Sequence, residues 1–177
     1  MNLTNAAVCI ETTGLISGLN EVVQLSIVTY DNAFSFNDRF NMSIRPMRPE
    51  FIDEDVLKIN KETLKYMSEQ AIPAQVKHAL YEWLDDRTIY PLGFNYNFDR
   101  DFLKLFLGDK YDEIFFYKYR DTCIIADYLK DKGKIKLELE NLSLISLSDY
   151  FNILCDEHNS LSNCITTIRL YEKLLKI

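Results

Sequence analysis

A chain of 177 residues with 47% hydrophobic and 13% aromatic residues is long enough for one domain with a sizeable core. It has no apolar run near the roughly 20 residues that cross a bilayer, and no basic segment followed by an apolar stretch at its start, so we expect a cytoplasmic protein with no membrane contact. The net charge of −7 argues against a protein that coats long nucleic acid, because such proteins are usually basic. This negative charge is compatible with a protein that binds only a few nucleotides.

The first quarter of the chain predicts three strands. Residues 6–10 are a short apolar run that a Thr-Thr-Gly turn follows, which is typical of a buried strand. Residues 21–30 and 34–44 are rich in β-branched and aromatic residues, and the turn-forming pair Asp31-Asn32 separates them. Because consecutive strands usually pair, we expect an antiparallel meander.

The rest of the chain predicts helices around one further strand. Residues 88–94 are interpreted as a central strand, and the helix that follows over 98–107 places Phe98, Phe102, Leu105 and Phe106 on one face. Other helices are predicted over residues 53–59, 61–68, 73–86, 121–129, 141–150 and 161–176. In the last of these, the apolar positions expected to face the core are Ile165, Ile168, Leu170, Leu174 and Leu175. This order predicts an α/β fold with helices on the faces of a sheet, as a single domain over residues 1–177.

The cysteines are spread along the chain. Cys9, Cys123, Cys155 and Cys164 form no CxxC pair, so reduced thiols are the expected state. A zinc ion among Cys155, His158 and Cys164 is the weaker alternative, because the spacing matches no common zinc finger and a fourth ligand is missing.

Three segments carry most of the functional information. They are Val8-Cys9-Ile10-Glu11-Thr12-Thr13-Gly14-Leu15, Asn95-Tyr96-Asn97-Phe98-Asp99 and His158-Asn159-Ser160-Leu161-Ser162-Asn163. In order and spacing they resemble the three-part signature of the DnaQ-like (DEDDh) 3'–5' exonuclease family, whose first motif reads Asp-x-Glu-Thr-Thr-Gly-Leu. The resemblance implies a ribonuclease H-like fold, in which an antiparallel three-strand meander continues into parallel strands. It also implies removal of nucleotides from the 3' ends of DNA or RNA.

The resemblance further implies a two-metal site. Enzymes of this kind hold two Mg²⁺ or Mn²⁺ ions roughly 4 Å apart, and such hard ions prefer oxygen ligands. By resemblance, Glu11 and Asp99 are metal ligands and catalytic residues, and His158 is the general base beside the scissile phosphate. Position 9 shares a strand face with Glu11, position 163 lies on the last helix, and the family has a carboxylate at both.

Both of those carboxylates are replaced here, by Cys9 and by Asn163. Two opposite unit charges ~4 Å apart interact by roughly 4 kcal/mol at an effective dielectric near 20, so two lost carboxylates predict one well-held ion or none. Asn163 can offer only an uncharged carbonyl oxygen, and Cys9 suits Zn²⁺ better than Mg²⁺. Strong two-metal hydrolysis is therefore not expected.

The resemblance also implies a set of substrate-binding residues. Thr13 and Leu15 resemble the residues that hold the terminal nucleotide, through a backbone contact and an apolar wedge. Gly14 is expected to supply a turn conformation that a β-carbon would hinder. Tyr96 is either a stacking face for single-stranded substrate or a core residue, and Phe98 is open to the same two interpretations. The full set is Thr12, Thr13, Gly14, Leu15, Asn95, Tyr96 and Phe98.

Three explanations of the two replacements stay open. The first is a natural pseudo-enzyme that keeps the nucleotide cleft, and we favour it. The second is an engineered inactive form, which fits Asn163 better than Cys9. The third is a residual or differently metallated nuclease that uses Glu11, Asp99 and His158. The expected partner is a single-stranded DNA or RNA 3' end or a nucleotide, with a protein docked on the same fold as the alternative.

Overall fold

The computed structural model describes residues 2–59, 63–136, 142–156 and 158–177, apart from the side chains of residues 57–59, 63 and 64. Within these parts of the chain, five strands form one mixed sheet. The strands are β1 (Asn2–Thr12), β2 (Val22–Tyr30), β3 (Phe36–Ser43), β4 (Arg87–Gly93) and β5 (Arg120–Asp121). Their order across the sheet is β3-β2-β1-β4-β5.

The meander predicted from the sequence is confirmed. β1 pairs antiparallel with β2, and β2 pairs antiparallel with β3. All residues from Ala6 to Ile10 are buried, because β1 lies at the centre of the sheet and is covered on both faces. Alternate residues therefore enter two different cores: Val8 packs in one cluster, and Cys9 packs in the other.

The parallel half of the sheet differs in detail from the prediction. β4 pairs parallel with β1 and with β5, so the central strand is β1, and β4 is its neighbour. Strand β5 was not predicted, because it has only two residues and its second, Asp121, also caps the next helix. The α/β class and the mixed sheet are as predicted.

Eight α-helices are described in this part of the chain. They are α1 (Glu54–Ile59), α2 (Thr63–Ser68), α3 (Pro73–Leu84), α4 (Tyr96–Leu107), α5 (Tyr111–Ile114), α6 (Thr122–Asp131), α7 (Leu144–Tyr150) and α8 (Ser160–Leu174). Side chains of α3, α4 and α5 pack in the core on one face of the sheet, and α8 packs on the other face with α6 and α7 against it. No helix among the described residues is long and apolar enough to cross a membrane.

Helix boundaries depart from the prediction where backbone geometry intervenes. α3 ends at Leu84, since Asp85 adopts a φ of 53°, in the left-handed region. α7 begins at Leu144, where the Ser143 side chain accepts a hydrogen bond from the Ser146 N–H. Parts of the predicted helices over 61–68 and 141–150, namely residues 61, 62 and 141, lie outside the described residues.

The predicted apolar faces of two helices were partly wrong. In α4, Leu103 is fully buried whereas Leu105 is 63% exposed, because the helix turns its Asp99–Leu103–Leu107 side to the sheet. In α8, Leu175 is exposed, and the core side includes the small polar Thr166 and Thr167. A pattern of apolar letters could not identify these threonines as buried.

The orientation of α4 predicts unequal costs for two leucine truncations. We expect Leu103→Ala to lower the free energy of unfolding by about 2–5 kcal/mol, because it leaves a cavity in the core. Leu105→Ala should change it by less than about 0.5 kcal/mol, because the side chain is mostly in solvent. Urea denaturation followed by circular dichroism measures both, and equal losses would contradict this orientation.

Candidate functional site

The three motif segments meet at the carboxyl end of β1. Glu11 lies near the end of this strand, Asp99 lies in the first turn of α4, and Asn163 lies in the first turn of α8. The Asn163 Nδ2 group donates a hydrogen bond of 3.1 Å to Glu11 Oε1. Asp99 Oδ1 accepts one of 3.0 Å from the backbone N–H of Ile10. The structure thus brings together the residues of all three motifs.

A buried carboxylate positions the start of α4. Asp121 accepts hydrogen bonds from the backbone N–H groups of Asn95 at 3.0 Å and Tyr96 at 2.8 Å, and from that of Cys123 at 3.0 Å. It therefore caps α6 and ties it to the start of α4, where Asn95 adopts a φ of 59°. This contact aims the first turn of α4, and with it Asp99, at the end of β1.

The start of α8 is docked on β2. Asn159 caps the helix by accepting hydrogen bonds from the backbone N–H groups of Leu161 and Ser162, at 3.1 and 3.2 Å. The Ser160 N–H donates to Gln24 Oε1 at 3.0 Å, and the hydroxyls of Ser160 and Ser26 are 2.6 Å apart. His158, just before this helix, has a φ of 59° and an exposed side chain. The docked helix start therefore determines where this histidine stands.

The floor of the site carries less negative charge than its residue types suggest. Asp99 is only 7% exposed, and burial raises its pKa from the ordinary value of 3.8 to about 8. The charges of Glu11 and Asp121 raise that pKa further, against the hydrogen bond from Ile10. Burial also raises the pKa of Glu11, but His158 and the Asn163 amide oppose that shift. Glu11 is thus better able than Asp99 to hold a charge at neutral pH.

The replaced positions are occupied by groups that bond to each other and to the protein. A hydrogen bond with the Cys164 thiol, together with burial, raises the pKa of Cys9 well above its ordinary value, so Cys9 is a neutral thiol. Asn163 uses both ends of its amide: it donates to Glu11, and its oxygen accepts a 3.8 Å hydrogen bond from the Cys155 thiol. Neither position offers a free anionic ligand.

The donor set does not fit a pair of hard divalent ions. Two such ions need several anionic oxygens, whereas the site offers a hydrogen-bonded Glu11, a buried Asp99 of raised pKa and the neutral groups of Cys9 and Asn163. Among the described residues, no group of three or more His, Cys, Asp or Glu side chains is arranged to hold a metal. This finding extends to the zinc alternative, because Cys164 is directed into the core and donates to the Ser26 carbonyl.

In the turn after β1, one of the predicted substrate-binding residues is exposed, and the others form hydrogen bonds within the protein. Leu15 is 78% exposed. Thr13 donates its N–H to the Glu21 carbonyl, and its own carbonyl accepts from the Asp53 N–H, both at 2.8 Å. Thr12 donates its hydroxyl to the carbonyl of Gly14. The Leu15 side chain is therefore accessible from outside the protein, whereas the backbone of Thr13 is already bonded.

Gly14 is required for a reason other than the expected one. A β-carbon at this position would lie 2.5 Å from Asn20 Nδ2 and closer still to the Asp53 carboxylate. The constraint is therefore the close approach of these two side chains to the backbone, and the turn conformation itself is not left-handed.

The aromatic residues of the second motif lie mainly in the core. Tyr96 is 1% exposed, and its hydroxyl lies 3.1 Å from that of Tyr111, so its ring has no face open to a nucleotide. Phe98 is half-buried against Phe102, with ring centroids 4.9 Å apart. Asn95 is exposed beside them. The core alternative therefore holds for Tyr96.

A cavity of about 320 Å³ opens beside the motif residues, and we call it the motif cavity. Glu11, Thr12, His158 and Asn159 line one side. The other lining residues come from β2, β3, α1, α2 and the turn after α2: Val23, Gln24, Ser43, Val56, Tyr66, Met67 and Gln70. This second group was not predicted, because no motif marks it and the exposure of Tyr66 is visible only in the structure.

Comparison with known proteins gives a likeness of fold alone. No family model and no curated protein matches the sequence. Product-bound exonuclease I matches with a TM-score of 0.80 and 16% identity, over 99% of this chain and 44% of that chain. E. coli exonuclease I in complex with a dT13 oligonucleotide gives 0.79 and 17%, over 98% and 41%. Cell-death related nuclease 4 (CRN-4) gives 0.75 and 15%, over 98% and 64%.

This chain therefore has the same ribonuclease H-like α/β fold as these solved structures. It spans 64% of the length of CRN-4 and 44% of that of product-bound exonuclease I.

The raised pKa of Asp99 predicts a pH dependence of stability. Between pH 3.8 and about 8 the folded protein keeps a proton on Asp99 that the unfolded chain releases. The free energy of unfolding should therefore fall as pH rises through this range, by up to about 1 kcal/mol per unit. Asp99→Asn should remove that slope in urea titrations with a chelator present. The exposed neighbour offers a control, Asp101→Asn, whose profile should parallel the wild type. If the profile of Asp99→Asn instead parallels that of the wild type, the Asp99 carboxyl is ionised in the folded protein.

Proposed function

We propose that this chain binds the 3' end of single-stranded DNA or RNA in the motif cavity, and that its metal-dependent phosphodiester hydrolysis is weak or lost. The observation that carries this proposal is the 3.1 Å hydrogen bond from the Asn163 amide to Glu11. A hydrogen bond to a charged group contributes about 1.5–3 kcal/mol. An ion that approached Glu11 would have to displace this donor, and Asn163 would bring no charge in return.

The low charge of the floor supports binding without hydrolysis. A full set of ionised carboxylates repels a phosphate unless metal ions lie between them. Here burial favours the neutral form of Asp99, and the hydrogen bond with Cys164 together with burial favours that of Cys9, which removes much of that repulsion at neutral pH. The same neutrality removes the ligands that would hold two ions in place. One change in the chemistry of the floor thus favours binding of the strand and disfavours its cleavage.

The surroundings of the floor support a nucleotide as the ligand. Leu15 is an exposed apolar side chain at the turn after β1, and Tyr66 presents an exposed ring at the cavity. Aromatic faces of this kind stack on bases of any sequence. His158 stands at the same cavity, close enough to Glu11 to lower the pKa of that carboxyl. Among proteins of this fold, E. coli exonuclease I holds a dT13 oligonucleotide in one solved structure.

Two other functions remain as alternatives. The first is an active 3'–5' exonuclease in which Glu11 and Asp99 hold one ion and His158 acts as base. The positions of Glu11 and Asp99 at the end of β1 favour it, since these are the metal-ligand positions of the resemblance. The second is a protein-binding module on the same fold.

Restoring the two carboxylates tests whether the motif residues form a nuclease site that lacks only these two metal ligands. We expect the unaltered protein to leave 5'-labelled single-stranded DNA and RNA intact in Mn²⁺. The double variant Cys9→Asp with Asn163→Asp should shorten them from the 3' end, and adding Glu11→Ala should abolish this activity. Gel electrophoresis over time measures the products. Shortening by the unaltered protein that Glu11→Ala removes would establish the active exonuclease instead. An inert double variant would show that the motif residues are not a nuclease site.

The apolar wedge can be tested through binding alone. We expect Leu15→Ala to weaken binding of fluorescein-labelled dT13 roughly tenfold, because truncation removes about 1–2 kcal/mol of apolar contact. Leu175→Ala is the matched control, since Leu175 is also exposed but lies beyond the far end of α8. Fluorescence anisotropy measures both. A 3'-phosphorylated dT13 should compete poorly, and equal competition by blocked and free ends would rule out recognition of the 3' end.

A further inference from the structure

A second cavity of about 320 Å³ lies on the other face of the sheet from the motif cavity. Residues of α3 and α4, among them Lys77 and Phe102, line this cavity together with Val22, whereas Gln24 and Asn159, at the start of α8, line the motif cavity. The cations at the second cavity are Arg45, Arg48 and Lys77, and we call it the cationic cavity. The motif residues take no part in lining it.

The charge around this cavity is unusual for the chain. Three cationic side chains meet one carboxylate, Glu21, in a protein of net charge −7. Arg48 forms an ion pair with Glu21, since Arg48 Nε lies 3.8 Å from Glu21 Oε1. The backbone N–H of Arg48 also donates a hydrogen bond of 2.8 Å to Glu21 Oε2. Within the described residues, no carboxylate lies within 4.0 Å of Arg45 or Lys77. Two positive charges at the cavity are therefore left without an acidic partner in the described part of the chain.

Arg45 carries an additional signal of a missing ligand. Its Nε atom is buried and has no hydrogen-bond partner among the described residues. A buried donor without a partner costs about 1–3 kcal/mol, and more on a charged group, so folded proteins rarely keep one without a use. An anionic oxygen that enters the cavity beside Arg45 would supply the acceptor that the protein itself does not.

The remaining wall is apolar. Phe102 is buried at the cavity, Phe106 is partly buried, and Leu105 leaves most of its side chain in solvent at this place. The ammonium group of Lys77 lies 5.0 Å from the centre of the Phe106 ring, between the charged and the apolar parts of the cavity. A ligand that fits both parts has an anionic head and a flat or apolar body.

We propose that the cationic cavity binds a nucleotide, with its phosphate on Arg45 and Lys77 and its base against Leu105 and Phe106. Guanidinium groups are well suited to phosphate, because their N–H donors match pairs of its oxygens. The cavity volume lies at the lower end of the range for small-molecule sites. The phosphate either belongs to a free nucleotide or is part of a strand that also reaches the motif cavity. This inference does not depend on the function proposed for the motif cavity.

Calorimetric titration of the whole chain with adenosine 5'-monophosphate tests the proposal. We expect measurable binding that Lys77→Gln weakens at least tenfold, because half of the unpaired charge is removed. Lys77→Arg should restore binding to within about twofold. Lys104→Gln is the matched control, because Lys104 is an exposed lysine on α4 outside the cavity, and it should leave binding unchanged. Thermal melts of each variant check that the fold is intact.

Two further titrations identify the source of the phosphate and the role of the apolar wall. Leu105→Ala should weaken the binding of the nucleotide but leave that of inorganic phosphate unaltered. If the phosphate belongs to a strand, the free nucleotide gives no heat and Lys77→Gln weakens dT13 binding instead. The proposal would be overturned if Lys77→Gln left the affinities for the nucleotide and for dT13 both unchanged. The cleavage assay on the Cys9→Asp with Asn163→Asp variant reports on the motif residues separately, so either inference can fail without the other.

Discussion

The hydrogen bond between Asn163 and Glu11 is the interaction on which the character of the site depends. It joins the end of the central strand to the first turn of the last helix, two elements that are far apart in the sequence. An amide stands here at the position where the resemblance to the exonuclease signature implies a carboxylate, so Glu11 is balanced by a neutral dipole. Because the protein itself supplies a hydrogen-bond donor to Glu11, this carboxylate is less available to a cation. We therefore expect chemistry different from that of the nucleases with this fold.

The geometry around this bond is held by groups that have no part in chemistry. Asp121 ties the starts of α4 and α6 together, and Asn159 caps α8 where it docks on β2. These contacts aim Asp99 and Asn163 at the end of β1. A chain can therefore change the residues that contact metal while the frame that presents them stays intact, because the frame is maintained by separate hydrogen bonds and by burial of the sheet.

The two faces of the sheet differ in charge. At the end of β1, burial favours the neutral form of Asp99, and the Cys9–Cys164 contact together with burial favours that of Cys9. On the α4 face, Arg45 and Lys77 have no acidic partner among the described residues. Both arrangements favour a phosphate-bearing ligand, the first by removing repulsion and the second by adding attraction. A negative total charge therefore does not exclude nucleotide binding, because the distribution of charge decides it.

The amino-acid sequence by itself determined the α/β class and the antiparallel meander, because local periodicity carries that information. Its resemblance to an exonuclease signature identified the motif residues that gather at the end of β1. Only the tertiary structure decided what those residues do. It showed that Tyr96 belongs to the core, that Thr13 has its backbone bonded, and that Asp99 is buried deeply enough to favour a neutral carboxyl. It also brought together the cationic cavity from four separate segments. Burial and electrostatic environment arise from contacts between distant parts of a chain, so no local pattern can contain them.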